Sequence, residues 1–275
     1  MSEIVDRLIE LRDEGYKLLI TPEGNKAEAY LDYITDLGLF YLERRETAVA
    51  AVEDQREHIE AFTHYLKTDP KLALAAERWP DFSTKQRLDT LRNIAEIFQR
   101  IFEINLPVKI EYDPLLNEKT RGEKRIAPRD RIEIKVNPHY HRGPKRESFR
   151  ESLFLLTHEL GHGLEQFYLS PPEGTDITQD QFGMACMGFM QPRFHEITQL
   201  MLREFITFRP EIAEVISQQF AVGLYMLDTQ EFHSNLFAKR CTADLPPIFD
   251  QSCNTRFLPA NPENNSPKPQ PALTM

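Results

Sequence analysis

The stretch Leu153–Gln166, with the sequence L-F-L-L-T-H-E-L-G-H-G-L-E-Q, decides how this chain is interpreted. It contains the pattern H-E-x-x-H, formed by His158, Glu159 and His162. Residues four apart lie on one face of a helix, so both imidazoles project the same way and are able to hold one metal ion. Glu159 stands where it would take a proton from a metal-bound water. Zinc is the expected metal, with a third protein ligand from elsewhere and a fourth position open to water.

The same stretch predicts an amphipathic helix. At about 100° per residue, large apolar side chains fall in one stripe of roughly 80°; they are Leu153, Leu156, Leu160, Leu164 and Phe167. His158 and His162 lie on the opposite side, with Glu151 and Glu165 near them. One face is therefore expected to pack against protein and the other to present ligands. Gly161 and Gly163 each cost about 1 kcal/mol of helix propensity relative to Ala, which indicates either a close approach of another element or a packing compromise.

Composition and charge exclude some classes of function. The chain has 275 residues, 41% of them hydrophobic and 28% charged, which is ordinary for a soluble globular protein with a substantial core. Its net charge of −10 argues against a general binder of nucleic acid or of anionic membranes. Neither a nucleic-acid partner nor a membrane partner is therefore expected. Nothing in the sequence indicates an oligomeric state.

The expected compartment follows from cysteine usage and from the N-terminus. The three Cys have no C-x-x-C spacing, and their odd number argues against a disulfide framework. The N-terminus lacks the apolar region of a signal peptide, and no apolar run approaches the eighteen or so residues that span a bilayer. We expect a cytoplasmic protein, or one exported without a cleaved signal peptide, as an effector would be.

Two regions precede the H-E-x-x-H stretch. Residues 1–80 are predicted to form a helical N-terminal region, with a first helix over 3–19 and two or three more over 26–79. From Ser83, which forms a capping pair with Gln86, a long apolar-faced helix is expected. Two strictly alternating patterns, Val108–Tyr112 and Arg131–Val136, then predict strands of a sheet with one covered face. The connection between them holds either a further strand or a loop.

The segment Thr157–Gln166 resembles the active-site helix of the zincin metallopeptidases. The order of elements from Ser83 to Phe208 is more weakly similar to a minimal zincin domain. The resemblance implies an α+β fold, with a zincin-like domain over 81–258 that contains a backing helix, a small, mostly antiparallel sheet, the H-E-x-x-H helix and a ligand-donating helix. In such folds the edge strand before the active helix takes an extended peptide, so Arg131–Val136 either lines the cleft or is an ordinary sheet strand. The Pro-rich tail, 259–275, is expected to be disordered.

The third ligand is expected on the helix predicted over Arg193–Phe208. The resemblance is to the gluzincin branch of the zincins, in which a Glu on a later helix completes the site. Glu196 is the favoured ligand, because it follows His162 by 34 positions (196 − 162) and lies in the first turn of that helix. Glu204, which is flanked by apolar residues, and His195 are the alternatives.

Two other metal arrangements fit less well. The metzincin pattern H-E-x-x-H-x-x-G-x-x-H fails, because Glu165 stands at the Gly position and Tyr168-Leu169 brings no His. A di-iron helical bundle would use Glu159 and His162 as an E-x-x-H pair, but it needs a second such pair on another helix. The sequence contains none, and the predicted strands argue against a bundle.

The remaining candidates are weaker. Residues 175–192 are predicted to be a long irregular connection beside the metal face, and 211–227 and about 228–240 two further helices beneath it. His139 and His141 form an H-x-H pair in a basic loop, where such residues are more often solvated than metal-bound. Tyr225 and His233 are candidates for stabilising an oxyanion, although a structural role fits each of them better.

These features together predict a zinc-dependent endopeptidase of gluzincin type, a hydrolase acting on peptide bonds of specific protein substrates. Glu159 would act as the general base that takes a proton from water and returns it to the leaving amine. The alternative is a non-catalytic protein-binding module that keeps the zincin scaffold. Replacing Glu159 by Gln would separate the two.

Overall fold

The computed structural model describes residues 3–20, 26–116, 120–125, 131–141, 147–169, 178–208 and 229–250. This part of the chain is mostly helical and contains one small sheet, so the α+β class is confirmed. The helices are α1 (Glu3–Ile20), α2 (Lys26–Glu43), α3 (Arg45–Asp54), α4 (Arg56–Thr68), α5 (Pro70–Arg78), α6 (Thr84–Ile101), α7 (Phe149–Leu169), α8 (Gln179–Phe208) and α9 (Thr229–Cys241). The strands are β1 (Val108–Tyr112), β2 (Gly122–Arg125) and β3 (Ile132–Val136), and short 3-10 helices cover Trp79–Asp81, Pro138–His141 and Pro247–Asp250.

Local sequence signals explain where several helices begin. The side chain of Asp69 accepts a hydrogen bond from the backbone N–H of Lys71, and Pro70 occupies the first turn of α5. The chain therefore breaks between α4 and α5, and residues 26–79 hold four helices rather than the two or three expected. Ser83 and Gln86 form the predicted capping box at the start of α6.

The sheet is mixed, with the strand order β1-β3-β2. β3 pairs with β1 in parallel, from Val108 opposite Ile132, and with β2 antiparallel, from Gly122 opposite Val136. The prediction of a mostly antiparallel sheet was therefore wrong, and so was that of an edge position for Arg131–Val136. Because β3 is hydrogen-bonded on both sides, it has no edge left for an extended peptide. The strand that displaces it from the edge, β2, comes from the charged connection and has no strong apolar pattern.

Helix α7 packs its apolar stripe as predicted. All five residues of the stripe are buried, namely Leu153, Leu156, Leu160, Leu164 and Phe167. They belong to one large cluster with the sheet, α4, α5, α6 and α9. Gly163 lies against the sheet, because a Cβ atom there would be 3.0 Å from the side chain of Ile132. A close approach of another element was one of the two explanations considered for Gly163, and strand β3 makes that approach.

Residues 179–192 form the first half of α8, not part of an irregular connection. Met184, Ala185 and Met187 in this half are buried, and a Cβ atom at Gly183 would be 2.8 Å from Ile4 of α1. Packing against α1 and α3 stabilises a segment whose glycines weaken its own helix propensity. Tertiary contacts, which a local pattern does not contain, account for the difference.

The helices before residue 80 share their cores with later elements. Side chains of α4 and α5 belong to the same buried cluster as α6, the sheet and α7. Those of α1 and α2 cluster with Met187, Phe194 and Ile197 of α8. The predicted boundary between 1–80 and 81–258 is therefore crossed by buried contacts, and the division itself stays a prediction. The tail 259–275 and the helix expected over 211–227 lie outside the described residues. Among those described, no helix has the length and apolar character to cross a membrane.

Candidate metal site

Helix α7 places both histidines of the H-E-x-x-H pattern together on its polar face. The Nε2 atoms of His158 and His162 lie 3.2 Å apart. The side chains are mostly buried, with 12% of His158 and 10% of His162 exposed. The helical spacing alone accounts for this arrangement, as the sequence predicted.

Helix α9 crosses the same face of α7 and brings a carboxylate to the two rings. A Cβ atom at Gly161 would lie 3.1 Å from both Cα and Oγ of Ser234, so only glycine allows the two helices to come this close without a shift. Glu231 stands one turn before Ser234, and its side chain is 15% exposed. One carboxylate oxygen lies 3.3 Å from Nε2 of His158 and the other 3.4 Å from Nε2 of His162.

These three side chains form a group that could hold a metal ion, because one donor atom from each lies within 4.8 Å of the others. Ligand bonds of 2.0–2.1 Å in a tetrahedral zinc site place neighbouring donor atoms roughly 3.3 Å apart. The two Nε2 atoms, 3.2 Å apart, agree with that value, and each has a different oxygen of Glu231 at 3.3 or 3.4 Å; with one donor atom from each residue, all separations stay within 4.8 Å. Two His and one Glu are also the donor set of catalytic zinc sites that keep a fourth position open. The residues therefore fit the metal that the sequence predicts.

The second ring nitrogen of His162 is held by a buried carboxylate. Oε2 of Glu165 lies 3.3 Å from Nδ1 of His162, and Oε1 lies 2.9 Å from Nδ1 of His233. A carboxylate only accepts hydrogen bonds, so each Nδ1 that faces it carries the hydrogen. In the neutral ring, Nε2 of His162 then presents a lone pair towards His158 and Glu231. Histidine ligands of metals commonly donate their other N–H to a carboxylate in this way.

The same contacts shift the pKa values of this pair. Burial, the largest influence on His162, lowers its pKa, but hydrogen bonds with Glu165 and Glu231 together raise it well above the usual value. Burial likewise raises the pKa of Glu165, and its hydrogen bonds with His162 and His233 outweigh that effect and lower it. Glu165 is therefore ionised in the fold, and a proton competes with a metal for His162.

Glu159 is buried beside this group, with 4% of its surface exposed. It directly follows His158 in α7, so it is next to one of the potential ligands along the helix. Because the three potential ligands each keep part of their surface exposed, solvent reaches the group that Glu159 adjoins along α7.

The residues expected to supply the third ligand lie elsewhere or are not described. Glu196 is on α8 with its side chain 54% exposed, and it pairs with Arg193 at 3.6 Å. It is not part of the group that His158 and His162 form among the described residues. His195 is exposed as well. The side chain of Glu204 lies outside the described residues.

Sequence reasoning missed Glu231 because the resemblance and the spacing both favoured the first helix after the H-E-x-x-H stretch. Glu231 follows His162 by 69 positions (231 − 162), twice the spacing that was considered. One signal was present: Glu231 is in helical register with Ser234, Ala238 and Cys241, all three of which are buried. Burying a carboxylate costs free energy unless it is paired or binds a metal, so its place in line with a buried helix face indicates such a partner. This face consists of small residues, so its apolar pattern is weak.

The remaining candidates have other surroundings. His141 is buried and contacts Tyr112 and Ser152, while His139 of the same H-x-H pair is exposed. His233, one candidate for stabilising an oxyanion, is fully buried and bonded to Glu165. Tyr225, the other candidate, lies outside the described residues.

Comparisons of the chain with models of known protein families, with curated proteins and with solved structures found no match.

Proposed function

We propose that this protein is a zinc-dependent peptidase whose metal is held by His158, His162 and Glu231. The observation that carries the proposal is the position of the Glu231 carboxylate, which faces both Nε2 atoms at 3.3 and 3.4 Å. Local spacing within α7 does not determine where a residue of α9 lies. The position of the Glu231 carboxylate beside the two histidines therefore supports the site independently of the H-E-x-x-H pattern.

When bound, zinc would polarise a substrate carbonyl and lower the pKa of a coordinated water to about 7. The side chains of the chain supply the rest. His158 and His162 present neutral ring nitrogens, and Glu231 completes the set and offsets the positive charge. Glu159 takes a proton from the attacking water and passes it to the leaving amine.

The substrate class inferred from the zincin resemblance is protein or peptide. An extended peptide could pair with a sheet edge, and β2 is an outer strand of the described sheet, which neighbours α7 through the contact of Gly122 with Leu155. In this proposal the substrate peptide pairs with the outer strand, Gly122–Arg125, and not with Arg131–Val136.

Metal analysis of the full-length protein tests the site. We expect wild type to hold close to one zinc per chain, and His158→Ala and Glu231→Ala to lose it, because a two-ligand site binds weakly. Glu196→Ala is the matched control on an exposed helix face, and it should retain the metal.

Two results would contradict the assignment. Zinc retained in Glu231→Ala and lost in Glu196→Ala would return the third ligand to α8. Absence of zinc from wild type, even after zinc is added back, would remove the metallopeptidase proposal altogether.

A further inference from the structure

A buried carboxylate joins the two helices that carry the potential metal ligands. The side chain of Glu165 is 1% exposed, and its two oxygens face rings on different helices. Oε2 is 3.3 Å from Nδ1 of His162 on α7, and Oε1 is 2.9 Å from Nδ1 of His233 on α9. A buried carboxylate is costly unless N–H donors surround it, so this pair of contacts requires hydrogens on both Nδ1 atoms.

Ser234 competes with Glu165 for the same nitrogen. Its Oγ lies 3.0 Å from Nδ1 of His162, and a hydroxyl is able to donate as well as accept. If Ser234 donated, Nδ1 of His162 would be a lone pair and the hydrogen would move to Nε2. That hydrogen would point towards His158 and block a metal. Glu165 only accepts, so it selects the tautomer that leaves Nε2 of His162 free for a ligand bond.

The second arm of Glu165 fixes the helix that carries the third ligand. His233 stands two positions after Glu231 on α9, and its side chain is fully buried. The short contact between His233 and Glu165 therefore opposes movement of α9 along or away from α7. The glycine contact at Gly161 sets how near the helices come, and this hydrogen bond sets their register.

We propose that Glu165 is a positioning residue that does two things for the metal site. It holds His162 in the tautomer that presents Nε2 to the metal, and through His233 it holds Glu231 in line with both histidines. The proposal rests on the metal site proposed above, and it adds that the site depends on a residue that does not touch the metal.

Zinc affinity of the full-length protein, measured by competition with a chromophoric chelator, tests the first role. The amide of Glu165→Gln has one acceptor and one donor, so it satisfies only one of the two Nδ1–H groups and forces the other ring to change tautomer. We expect zinc binding about 10- to 100-fold weaker than in wild type. Ser234→Ala is the matched control, and it should stay within about threefold of wild type because the carboxylate keeps its donor.

A pair of variants at His233 tests the second role without changing Glu165. Asn places an N–H donor close to the position of Nδ1, whereas Leu has a similar size and no donor. We expect His233→Asn to bind zinc more tightly than His233→Leu, and melting curves of the metal-free proteins to show that both variants fold. In long-range ¹H–¹⁵N spectra of zinc-loaded wild type, His162 should carry its hydrogen on Nδ1.

The outcomes separate this proposal from the metal site itself. If wild type binds zinc, His158→Ala does not, and Glu165→Gln binds as tightly as wild type, the positioning role is overturned and the site stands. Should Glu165→Gln fail to fold, equal zinc affinity of the two His233 variants would overturn the role of His233. If wild type binds no zinc, both proposals fail together.

Discussion

His162 of α7 and His141, which contacts α7 through Ser152, are both buried histidines, but their ring nitrogens have different partners. Nδ1 of His141 lies 2.6 Å from the hydroxyl of Tyr112, and Nε2 lies 3.4 Å from that of Ser152. In His162, Nδ1 faces Glu165 and Ser234, while Nε2 faces a second imidazole and the carboxylate of Glu231. Both ring nitrogens of His141 thus face hydroxyl groups, whereas Nε2 of His162 faces two other potential metal ligands.

The difference shows that burial does not by itself identify a functional histidine. Burial lowers the pKa of His141 to about 3, with a smaller lowering from the charge of Arg87, so the ring stays neutral and hydrogen-bonded at both nitrogens. His162 is equally buried, but carboxylates raise its pKa. We therefore assign His141 to the fold and His162 to the site. Paired substitutions test that assignment in the metal cluster and in the His141 cluster, in which Ser152 is hydrogen-bonded to both His141 and Glu147.

The largest expected effect comes from Glu159→Gln in the metal cluster. Removing the proposed general base should lower kcat/KM about 10²- to 10⁴-fold while zinc stays bound. The assay is cleavage of a fluorescence-quenched peptide library by the zinc-loaded protein. Glu147→Gln, the same change in the cluster around His141, should leave cleavage unchanged.

Two other results would change this interpretation. Full activity in Glu159→Gln would mean that another group is the base. If zinc-loaded wild type cleaved nothing, the binding-module alternative would become the better account.

The second-largest expected effect is on the free energy of unfolding, and it comes from Glu147 in the His141 cluster. Burial raises the pKa of Glu147 to about 7, although the charge of Arg121 lowers it. The Glu147 carboxyl thus binds its proton more tightly in the folded protein than in the unfolded chain, where its pKa is near 4.5. The contribution of Glu147 is complete below pH 4.5 and is lost as the pH rises through 7.

Wild type loses this contribution between pH 4.5 and pH 8, whereas Glu147→Gln has no carboxyl group to ionise. The free energy of unfolding of the variant, relative to that of wild type, should therefore rise by about 3 kcal/mol over that range. Urea titrations across that range measure it, and the titration of His141 cancels because both proteins contain it. The exposed Glu57→Gln is the control for loss of a charge. A difference that does not change with pH would show that Glu147 ionises normally.

The smallest expected effect distinguishes two glycines of α7. Gly161→Ala places a Cβ atom 3.1 Å from the backbone of Ser234, so α9 has to move and carries Glu231 with it. Zinc affinity should fall, by about tenfold at most, equivalent to about 1.4 kcal/mol. Gly163→Ala instead meets the side chain of Ile132 at 3.0 Å and should alter stability with little effect on zinc. Equal zinc affinity in the two variants would show that the helix spacing does not set the site.

Much of this protein was readable from local pattern. The capping box at Ser83, the apolar stripe of α7 and the two alternating strands depend on residues within a turn or two of each other, and all are present in the structure. The nearness of His158 and His162 has the same origin, because helical spacing alone sets it. Local spacing determined these features, so the sequence by itself was sufficient for them.

Other features exist only in the folded chain. Helix α8 begins at Gln179 because α1 and α3 pack on it, and β3 is central because β2 arrives from a charged connection with little apolar pattern. Glu231 reaches the histidines across 69 positions (231 − 162) because Gly161 lets α9 approach α7, whereas Glu196, which the spacing favoured, points into solvent. The H-E-x-x-H pair was a property of one helix and could be read along it. The proposed third ligand, Glu231, and the contact of Glu165 with both helices depend on the packing of α7 against α9, which only the tertiary structure decides.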